Sequence, residues 1–341
     1  MAVAFDPTRG EILGSATQVV SDVVATSDGP LVFATSQEGT LLYLPGSGTF
    51  SMLGELVWID RQGRRQIVVE GHRGYAHPRL SPDGRRLLVE LETDVWTYDL
   101  ERGTRSRVTF DQGAGDAVWT HDGKSIVYRS GGPLFSKSAD GSGLAEILLE
   151  TGSTLNAHSW SPDGEVLAYY DLDEVQNRDI WTLSLVGERE PQPFVVTDFN
   201  ERSPSFSPDG RWVAYASDES GQDEIYVRPY PGPGGKVTVS TAGGREPVWC
   251  SAGGELFYRS GDRMVAVPIE TGEALEVGAP DTLFEGQYIT DRATRSGSQS
   301  YDVTRDCERF LMISATEPAI TGLRVVLNWT EELKQLVPTD N

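Results

Sequence analysis

The sequence predicts an all-β fold made of about seven copies of one four-stranded sheet. Three observations predict it: a tight-turn motif recurs every 39 to 53 residues, short β-branched and aromatic runs flank each copy, and no segment keeps a helical period. A period in the forties is typical of β-propeller blades rather than of helical solenoids. We therefore expect residues 1–341 to form a single domain, a seven-bladed β-propeller, with six or eight blades as alternatives.

The turn motif is Ser-Pro-Asp-Gly in its clearest form. Proline presets the backbone angle at the first central position, aspartate hydrogen-bonds the local backbone, and glycine accepts a positive φ. Such a turn reverses a strand within a few residues and predicts a hairpin. The seven copies, the last three of them weaker, are Ser81–Gly84, Thr120–Gly123, Ser161–Gly164, Ser207–Gly210, Ser36–Gly39, Ser251–Gly254 and Thr304–Cys307.

The segments around each turn predict the strands of each sheet. An inner strand ends just before the turn, as in Val118-Trp119, and a second strand follows it, as in Val213-Ala214-Tyr215. Third strands such as Val57-Trp58-Ile59 and fourth strands such as Gln66-Ile67-Val68-Val69 come next. These residue types fit a pleated, half-buried surface. Radial closure would bury both faces of every sheet and leave only short edges.

Ring closure is predicted to pair the two ends of the chain. The last copy continues through Val325–Trp329 without an obvious fourth strand, and the β-like segment Ala16–Val20 is available to complete it. The segment Val3–Gly10 is similar to the third-strand segment Val265–Gly272 of a later copy. We therefore expect the chain to start partway through a blade of a longer ancestor or parent.

Composition limits the class of partner. The net charge is −22, from 29 basic and 51 acidic residues, so a nucleic acid is not an expected partner. The chain has only two cysteines, Cys250 and Cys307, which excludes a disulfide framework but is compatible with a single bridge. Nothing near them has metal-ligand spacing. Neither a signal peptide nor an 18-residue apolar run is visible. We therefore expect a soluble monomer, cytoplasmic by default.

Several of these stretches resemble a known repeat family. Leu56–Gly63, Ser207–Gly221 and Glu224–Gly232 resemble the WD-like β-propeller repeats of the TolB type. They are still more similar to the C-terminal propeller downstream of many bacterial serine/threonine protein kinases. The resemblance covers nearly the whole chain, and it implies the propeller fold and the binding of proteins or ligands. It also implies an extracytoplasmic location as an alternative, and a relation to a kinase-linked sensory domain.

Catalytic motifs are absent from the sequence. The chain has no Gly-rich loop before a strand, no His-Arg-Asp and no Asp-Phe-Gly, so it contains no kinase domain. It also lacks a Gly-x-Ser-x-Gly elbow, a phosphate-binding loop and His-Glu-x-x-His. The sequence therefore gives no direct indication of a peptidase, a nucleotidase or a metalloprotease.

Polar residues before each turn form the candidate ligand site, because they begin the innermost strands where a central channel would open. Histidines beside carboxylates suit a divalent metal or acid–base chemistry, although a polar channel mouth needs hydrophilic residues for solvation alone. His77 and His158 are predicted to lie on two blades that are separated by a third. The sequence therefore does not show that both could bind the same metal ion. The candidates are Tyr75, His77, Asp116, Asn156, His158, Arg202 and Glu246, with Ser203, Arg245 and Gln299 at the same level.

Two further features are candidates for ligand binding. Acidic loops at Asp171–Glu174 with Asp179, and at Asp218–Glu224, offer oxygen ligands of the calcium kind, but they lack EF-hand spacing and suit a solvated surface equally. The insertion at residues 281–300 lengthens the last repeat to 53 residues. Long loops on a rigid ring are common recognition sites.

The sequence as a whole predicts a non-enzymatic binding or scaffold propeller. It would recognise a protein, peptide or small ligand at the mouth of its central channel, without a cofactor. The alternative is a metal-assisted lyase or hydrolase that uses the histidines and carboxylates of the channel mouth. A measurement of the metal content of the purified protein distinguishes the binding propeller from the metal-assisted enzyme, because only the enzyme requires a stoichiometric divalent ion.

Overall fold

The computed structural model describes residues 53–331 except 112, 174–176, 273, 291–296 and 316–322. Of the first 52 residues it describes 2–6, 9, 11–17, 20, 23, 25–26, 33–36, 38–43, 45 and 49–50. Contacts divide the chain into two compact units, Met1–Met52 with Glu317–Asn341, and Leu53–Thr316. The single domain expected over residues 1–341 stays a prediction.

The described elements are almost entirely β-strands. The first half of the chain contains β1 (Ala2–Asp6), β2 (Glu11–Thr17), β3 (Ala25–Thr26), β4 (Phe33–Thr35), β5 (Leu41–Tyr43), β6 (Thr49–Phe50), β7 (Gly54–Asp60), β8 (Arg65–Arg73), β9 (Tyr75–Leu80), β10 (Arg86–Leu91), β11 (Asp94–Asp99), β12 (Thr104–Arg107), β13 (Ala114–Trp119), β14 (Ser125–Ser130), β15 (Leu134–Ser138) and β16 (Glu146–Leu149). The second half contains β17 (Thr154–Trp160), β18 (Val166–Leu172), β19 (Arg178–Ser184), β20 (Pro191–Val195), β21 (Glu201–Phe206), β22 (Trp212–Ser217), β23 (Glu224–Pro229), β24 (Val237–Thr238), β25 (Arg245–Trp249), β26 (Glu255–Ser260), β27 (Arg263–Thr271), β28 (Leu275–Val277), β29 (Asp281–Glu285), β30 (Asp302–Val303), β31 (Arg309–Ala315) and β32 (Arg324–Val326).

The smaller unit contains short sheets. β1 and β2 form an antiparallel hairpin, β3 pairs with β6 in parallel, and β4, β5 and β32 form a three-stranded antiparallel sheet. The turn at Ser36–Gly39 joins β4 to β5, and the Ser36 N–H donates to the Thr40 carbonyl at 2.9 Å. Helix is limited to one turn at residues 329–331, so no described helix is long and apolar enough to cross a bilayer.

The larger unit is a ring of six antiparallel sheets. In chain order these are β9–β12, β13–β16, β17–β20, β21–β24, β25–β29, and a last sheet in the order β30, β31, β7, β8. We number them sheets 1 to 6. The inner strands of sheets 1 to 5 contact one another in order, sheets 5 and 6 share one apolar cluster, and β9 contacts β30 and β31, which closes the ring. The all-β propeller of four-stranded blades, with almost no helix, is therefore confirmed.

The count of seven blades is not confirmed, because the first turn copy lies in the smaller unit. The strands assigned from the sequence to that first copy, β7 and β8, complete sheet 6 instead. β7 pairs with β31 along its whole length, from Asp60 opposite Arg309 to Gly54 opposite Ala315. The ring thus closes by pairing of N- and C-terminal strands, but not through Ala16–Val20. Thr17 pairs with Ala2, residues 18 and 19 lie outside the described residues, and Val325 pairs with Leu42.

Apolar residues pack between neighbouring sheets. Phe257 of sheet 5 meets Phe310 of sheet 6 edge-on, at 5.1 Å between ring centroids, and neither side chain is exposed. Cys250 and Cys307 form the single disulfide that the sequence left open, with 5.7 Å between their Cα atoms. The fifth turn begins at Cys250, one residue earlier than predicted, because the Gly253 N–H donates to the Cys250 carbonyl. The disulfide therefore joins the turns of sheets 5 and 6.

Candidate functional site

Four inner strands share one distortion, four residues before their turns. His77, Asp116, Ser203 and Glu246 have φ values between 46° and 54°, and each lies in an irregular stretch of strand pairing. Left-handed backbone at a non-glycine residue costs on the order of 1–3 kcal/mol and persists only where the surroundings hold it. The bulges turn these side chains toward a common level inside the ring. Sheet 3 has Ala157 at the equivalent position, between the predicted residues Asn156 and His158.

One segment of the chain fills the channel at this level. Residues 297–301, which we call the crossing segment, lead into the short strand β30 of sheet 6. The Gly297 carbonyl accepts a hydrogen bond from Ser203 Oγ of sheet 4 at 2.8 Å, and Ser298 Oγ donates to Asp116 of sheet 2. Ser298 is almost completely buried. The segment therefore bonds across the ring to sheets that are not its neighbours.

The rest of the crossing segment bonds to sheets 1 and 5. The Gln299 carbonyl accepts from Arg79 Nη1 at 3.1 Å. Ser300 donates to Glu246 Oε2 twice, from its backbone N–H at 2.7 Å and from its hydroxyl at 2.5 Å. The Tyr301 hydroxyl donates to the Glu246 carbonyl at 2.8 Å. The channel is consequently closed at this end by the protein's own backbone.

A buried charge network supports the crossing segment. His77 Nδ1 lies 2.8 Å from Glu90 Oε1 and 3.6 Å from Asp116 Oδ1. Arg129 Nε donates to Asp116 Oδ2 at 3.0 Å and to Asn156 Oδ1 at 3.2 Å, and Arg129 Nη2 lies 3.0 Å from Asp116 Oδ2 as an ion pair. The structure brings together the predicted residues His77, Asp116 and Asn156. Sequence reasoning missed Glu90 and Arg129, which lie on second strands.

The network fixes the protonation of its members. Burial alone would lower the pKa of His77, but the charges of Glu90 and Asp116 outweigh it and raise that pKa to about 9. Burial alone would raise the pKa of Asp116, but His77 and Arg129 outweigh it and lower that pKa. Both groups are therefore ionised near neutral pH.

The same residues are the cluster in the described chain that has the geometry for a metal. Ligand atoms of His77, Glu90 and Asp116 lie within 4.8 Å of one another. However, Arg129 already neutralises Asp116, and the raised pKa of His77 opposes the neutral form that binds metals. These observations favour a structural charge network, and a divalent metal here stays a prediction.

His158 is not part of this cluster. Its ring packs against Tyr170 at 5.3 Å between centroids, and its Nε2 is buried without a hydrogen-bond partner in the described structure. Burial and the nearby charge of Arg79 lower the pKa of His158 to about 3. The imidazole is therefore neutral, and it lies in a different environment from His77.

The other predicted site residues have structural partners. Tyr75 packs in the core between sheets, and its ring meets Tyr98 edge-on at 6.4 Å. Arg202 and Arg245 both pair with Asp223. Six of the seven predicted site residues are buried, and Arg202 is nearly so. Their binding of a ligand stays a prediction.

In the part that the structure describes, carboxylates of the predicted acidic loops accept hydrogen bonds from other residues of the chain. Asp218 accepts two hydrogen bonds from Asn200, from its backbone and side-chain nitrogens, both at 2.9 Å. Glu224 accepts one from the Gly243 N–H at 2.9 Å. In the other loop, burial raises the pKa of Asp171 and of Asp179, and residue 174 lies outside the described residues. The calcium interpretation gains no support from these contacts.

The opposite end of the channel is open. A cavity of about 750 Å³, which we call the funnel, is lined by the Ser-Pro-Asp-Gly turns and by residues from all six sheets. Trp249 Nε1 donates to the Ser205 carbonyl at 3.0 Å, and the Arg309 guanidinium lies 4.8 Å from the Trp58 ring. The aromatic, proline and arginine residues that line the funnel are Trp58, Trp160, Phe206, Trp249, Pro82, Pro162, Pro208, Arg86, Arg305 and Arg309.

The funnel was not predicted from the sequence, although its signal was present. An aromatic residue precedes the turn in sheets 2 to 5, at Trp119, Trp160, Phe206 and Trp249. Four large rings at one repeat position indicate a shared aromatic level in the ring. The turns themselves were interpreted as hairpin chemistry alone, whereas they also form the wall of this opening.

Comparisons with known proteins agree with this architecture. A family model described as the dipeptidyl peptidase IV N-terminal region matches residues 51–197. An uncharacterised protein from Agrobacterium fabrum is 26% identical over 249 residues, which is 67% of this chain and 83% of that protein.

Two solved structures are similar to the chain. A putative TolB from Agrobacterium tumefaciens has a TM-score of 0.62 and 18% identity, over 78% of this chain and 99% of that one. TolB from Acinetobacter baumannii has a TM-score of 0.52 and 14% identity, over 83% and 78%. At such identities the likeness concerns the fold. With six ring-forming sheets and these neighbours, the fold of this chain is that of a TolB-like β-propeller.

Proposed function

We propose that the chain is a non-enzymatic binding propeller that takes a peptide segment of a partner protein into the funnel. The observation that carries this proposal is the asymmetry of the channel. One end is closed by residues 297–301, and the other opens as a cavity of about 750 Å³ between six turns. That volume lies within the range of about 300–1,000 Å³ found for ligand pockets. A binding role also agrees with the TolB-like fold.

The walls of the funnel suit a peptide. Tryptophan and arginine are the residue types that dominate binding energy at protein interfaces, because they bury large surfaces and keep a polar contact. Arg305 and Arg309 place positive charge at the rim of a protein whose net charge is −22. The funnel is also lined by Asp83, Asp122 and Asp302, so its charge is mixed. A segment whose acidic or terminal carboxylates meet the arginines would form charge-assisted hydrogen bonds with them.

The experiment is selection of peptides against the whole protein, followed by affinity measurement. A random heptapeptide phage library panned on the immobilised protein should yield ligands that bind in calorimetry. Arg305→Glu should weaken them about tenfold or more, since it reverses a rim charge. Arg102→Glu is the matched control, because Arg102 is exposed in the loop between β11 and β12. Ligands that bind both variants with wild-type affinity would place binding outside the funnel and contradict the proposal.

We also propose an oxidising compartment for the protein. The support is the Cys250–Cys307 disulfide, because such bonds persist in extracytoplasmic environments and are rare in the cytosol. The alternative is the cytoplasm, which was the default from the sequence. Alkylation of the protein in intact cells, before lysis, distinguishes the two, since thiols that react with the reagent would indicate a reducing location.

A further inference from the structure

Arg79 is a buried cation without an ion-pair partner. The residue is 8% exposed, and in the described part of the chain no carboxylate oxygen lies within the 4.0 Å of a salt bridge. Nη1 donates to the carbonyls of Pro78 and Gln299, but Nε is buried without an acceptor. Buried charges are normally paired, because an uncompensated one carries a large desolvation penalty. The pairing of Arg79 is therefore incomplete in the protein alone.

The carboxylates nearest to Arg79 are committed elsewhere. The Asp302 carboxylate accepts hydrogen bonds from the backbone N–H groups of Leu80 and Val303, at 2.7 and 2.8 Å. Glu246 accepts those of Ser300, and Asp116 is held by Arg129. Each of these carboxylates is therefore held in place by other donors.

Arg79 lines a small cleft that shares its wall with the funnel. The cleft has a volume of about 220 Å³ and is lined by residues of sheets 1, 2 and 3, among them Arg79 of sheet 1 and His158 and Trp160 of sheet 3. Leu80, Pro82, His121 and Trp160 line both the cleft and the funnel. We call this space the Arg79 cleft. The cleft therefore adjoins the funnel.

Three buried nitrogen atoms without a hydrogen-bond partner in the described structure belong to residues that line this cleft. Besides Arg79 Nε, the atoms His158 Nε2 and Trp160 Nε1 are buried without a hydrogen-bond partner. The equivalent indole of Trp119 donates to the Arg79 carbonyl at 3.1 Å, and that of Trp249 donates to Ser205. Trp160 is thus an exception to a repeated contact of this ring. Buried polar groups left without partners indicate an ion, water or ligand that completes them.

We propose that the Arg79 cleft binds a carboxylate, supplied as the C-terminus of the peptide that occupies the funnel. This inference rests on the proposed function of the funnel. Two of the three unpaired groups are permanent donors and the third donates from one tautomer, so the ligand must be an acceptor. One negative charge balances one guanidinium, whose planar fork matches a carboxylate. The crossing segment closes the channel beyond Arg79, so a chain end fits where a continuing chain does not.

The test compares matched probes by isothermal titration calorimetry on the full chain. The probes are sodium acetate, inorganic phosphate, and one funnel-binding peptide with either a free or an amidated C-terminus. The free acid should bind about tenfold or more tightly than the amide, which is the range of one charge-assisted hydrogen bond. Acetate alone should bind weakly and compete with the free acid. Competition by acetate together with equal affinity of acid and amide would identify a small carboxylic acid as the ligand and overturn the peptide C-terminus.

Variants assign the effect to the cleft. Arg79→Gln removes the charge and should abolish the preference for the free acid, whereas Arg102→Gln should keep it. Arg79 also holds the crossing segment, so Trp160→Phe provides a second variant, which keeps an aromatic ring and removes the N–H donor together with the five-membered ring of the indole. The lost ring surface should weaken the acid and the amide alike, so the preference between them reports the donor. Trp160→Phe should reduce the preference severalfold, and Trp181→Phe on the same sheet should not. If the free acid and the amide bind equally well, and both lose binding in Arg305→Glu, the carboxylate site is overturned. That result would still support peptide binding in the funnel. Tighter binding of phosphate than of acetate would overturn the ligand class.

Discussion

Substitution of His77 should change how stability depends on pH. In the folded protein His77 Nδ1 lies 2.8 Å from Glu90 Oε1, and its pKa is raised to about 9 from the ordinary value of 6.5. Since the folded state holds this proton more tightly, the stabilisation is fully present below pH 6.5 and is lost as the pH rises through 9. A shift of this size corresponds to about 3 kcal/mol at 1.36 kcal/mol per pKa unit. We take that as an upper limit for the buried pair.

The measurement is urea unfolding of the wild type and of His77→Gln at pH 6, 7, 8 and 9. The difference in free energy of unfolding should shrink toward higher pH by up to about 3 kcal/mol. His121→Gln is the control, because His121 is exposed on a turn and its difference should not change in this way. Glu90→Gln removes the same ion pair and should reproduce the effect. A wild-type-minus-His77→Gln difference that is constant from pH 6 to 9 would refute the assigned ion pair.

Two further predictions concern the turns. Replacement of both Cys250 and Cys307 by serine should reduce the free energy of unfolding by about 4 kcal/mol, for a loop of 57 residues, and dithiothreitol should then have no added effect on the melting temperature. Gly84→Ala, in open space at φ +71°, should cost about 1–2 kcal/mol in urea unfolding. Gly164→Ala should cost about 1–3 kcal/mol more, because its new Cβ would lie 2.6 Å from His121 Cβ; equal losses would show that the contact relaxes freely.

Most of the propeller was predictable because its signals are local. The Pro-Asp-Gly chemistry of Ser81–Gly84 and its repeats depends on a few neighbouring residues, and the flanking strands follow from their composition. The number of sheets was not predictable in this way. The copy at Ser36–Gly39 has the local features of a turn, yet it joins two strands of a three-stranded sheet. The pairing of β7 with β31 depends on contacts between opposite ends of the ring, which no local pattern specifies.

The sequence predicted which level of the inner strands carries the candidate-site residues, but not the residues to which they hydrogen-bond. The repeat placed His77, Asp116 and Glu246 at equivalent positions, and the structure gives them the same backbone bulge. Their hydrogen-bond partners lie far away in the sequence, since Ser298 donates to Asp116 from 182 positions further along the chain. The clue was the long spacing before the last turn, which we interpret from the sequence as a candidate recognition loop. Part of that insertion instead runs through the channel.

The closure of sheet 6 has a consequence for synthesis of the protein. β7 is made early, but its partner β31 follows about 250 residues later. At translation speeds of about 5–20 residues per second, the edge of β7 waits roughly 10–50 s for its partner. During that interval the nascent chain is an open arc with an unpaired strand edge, which can template aggregation. Cellular yield of this protein should therefore depend on how well chaperones protect that edge until the ribosome has delivered the last strands.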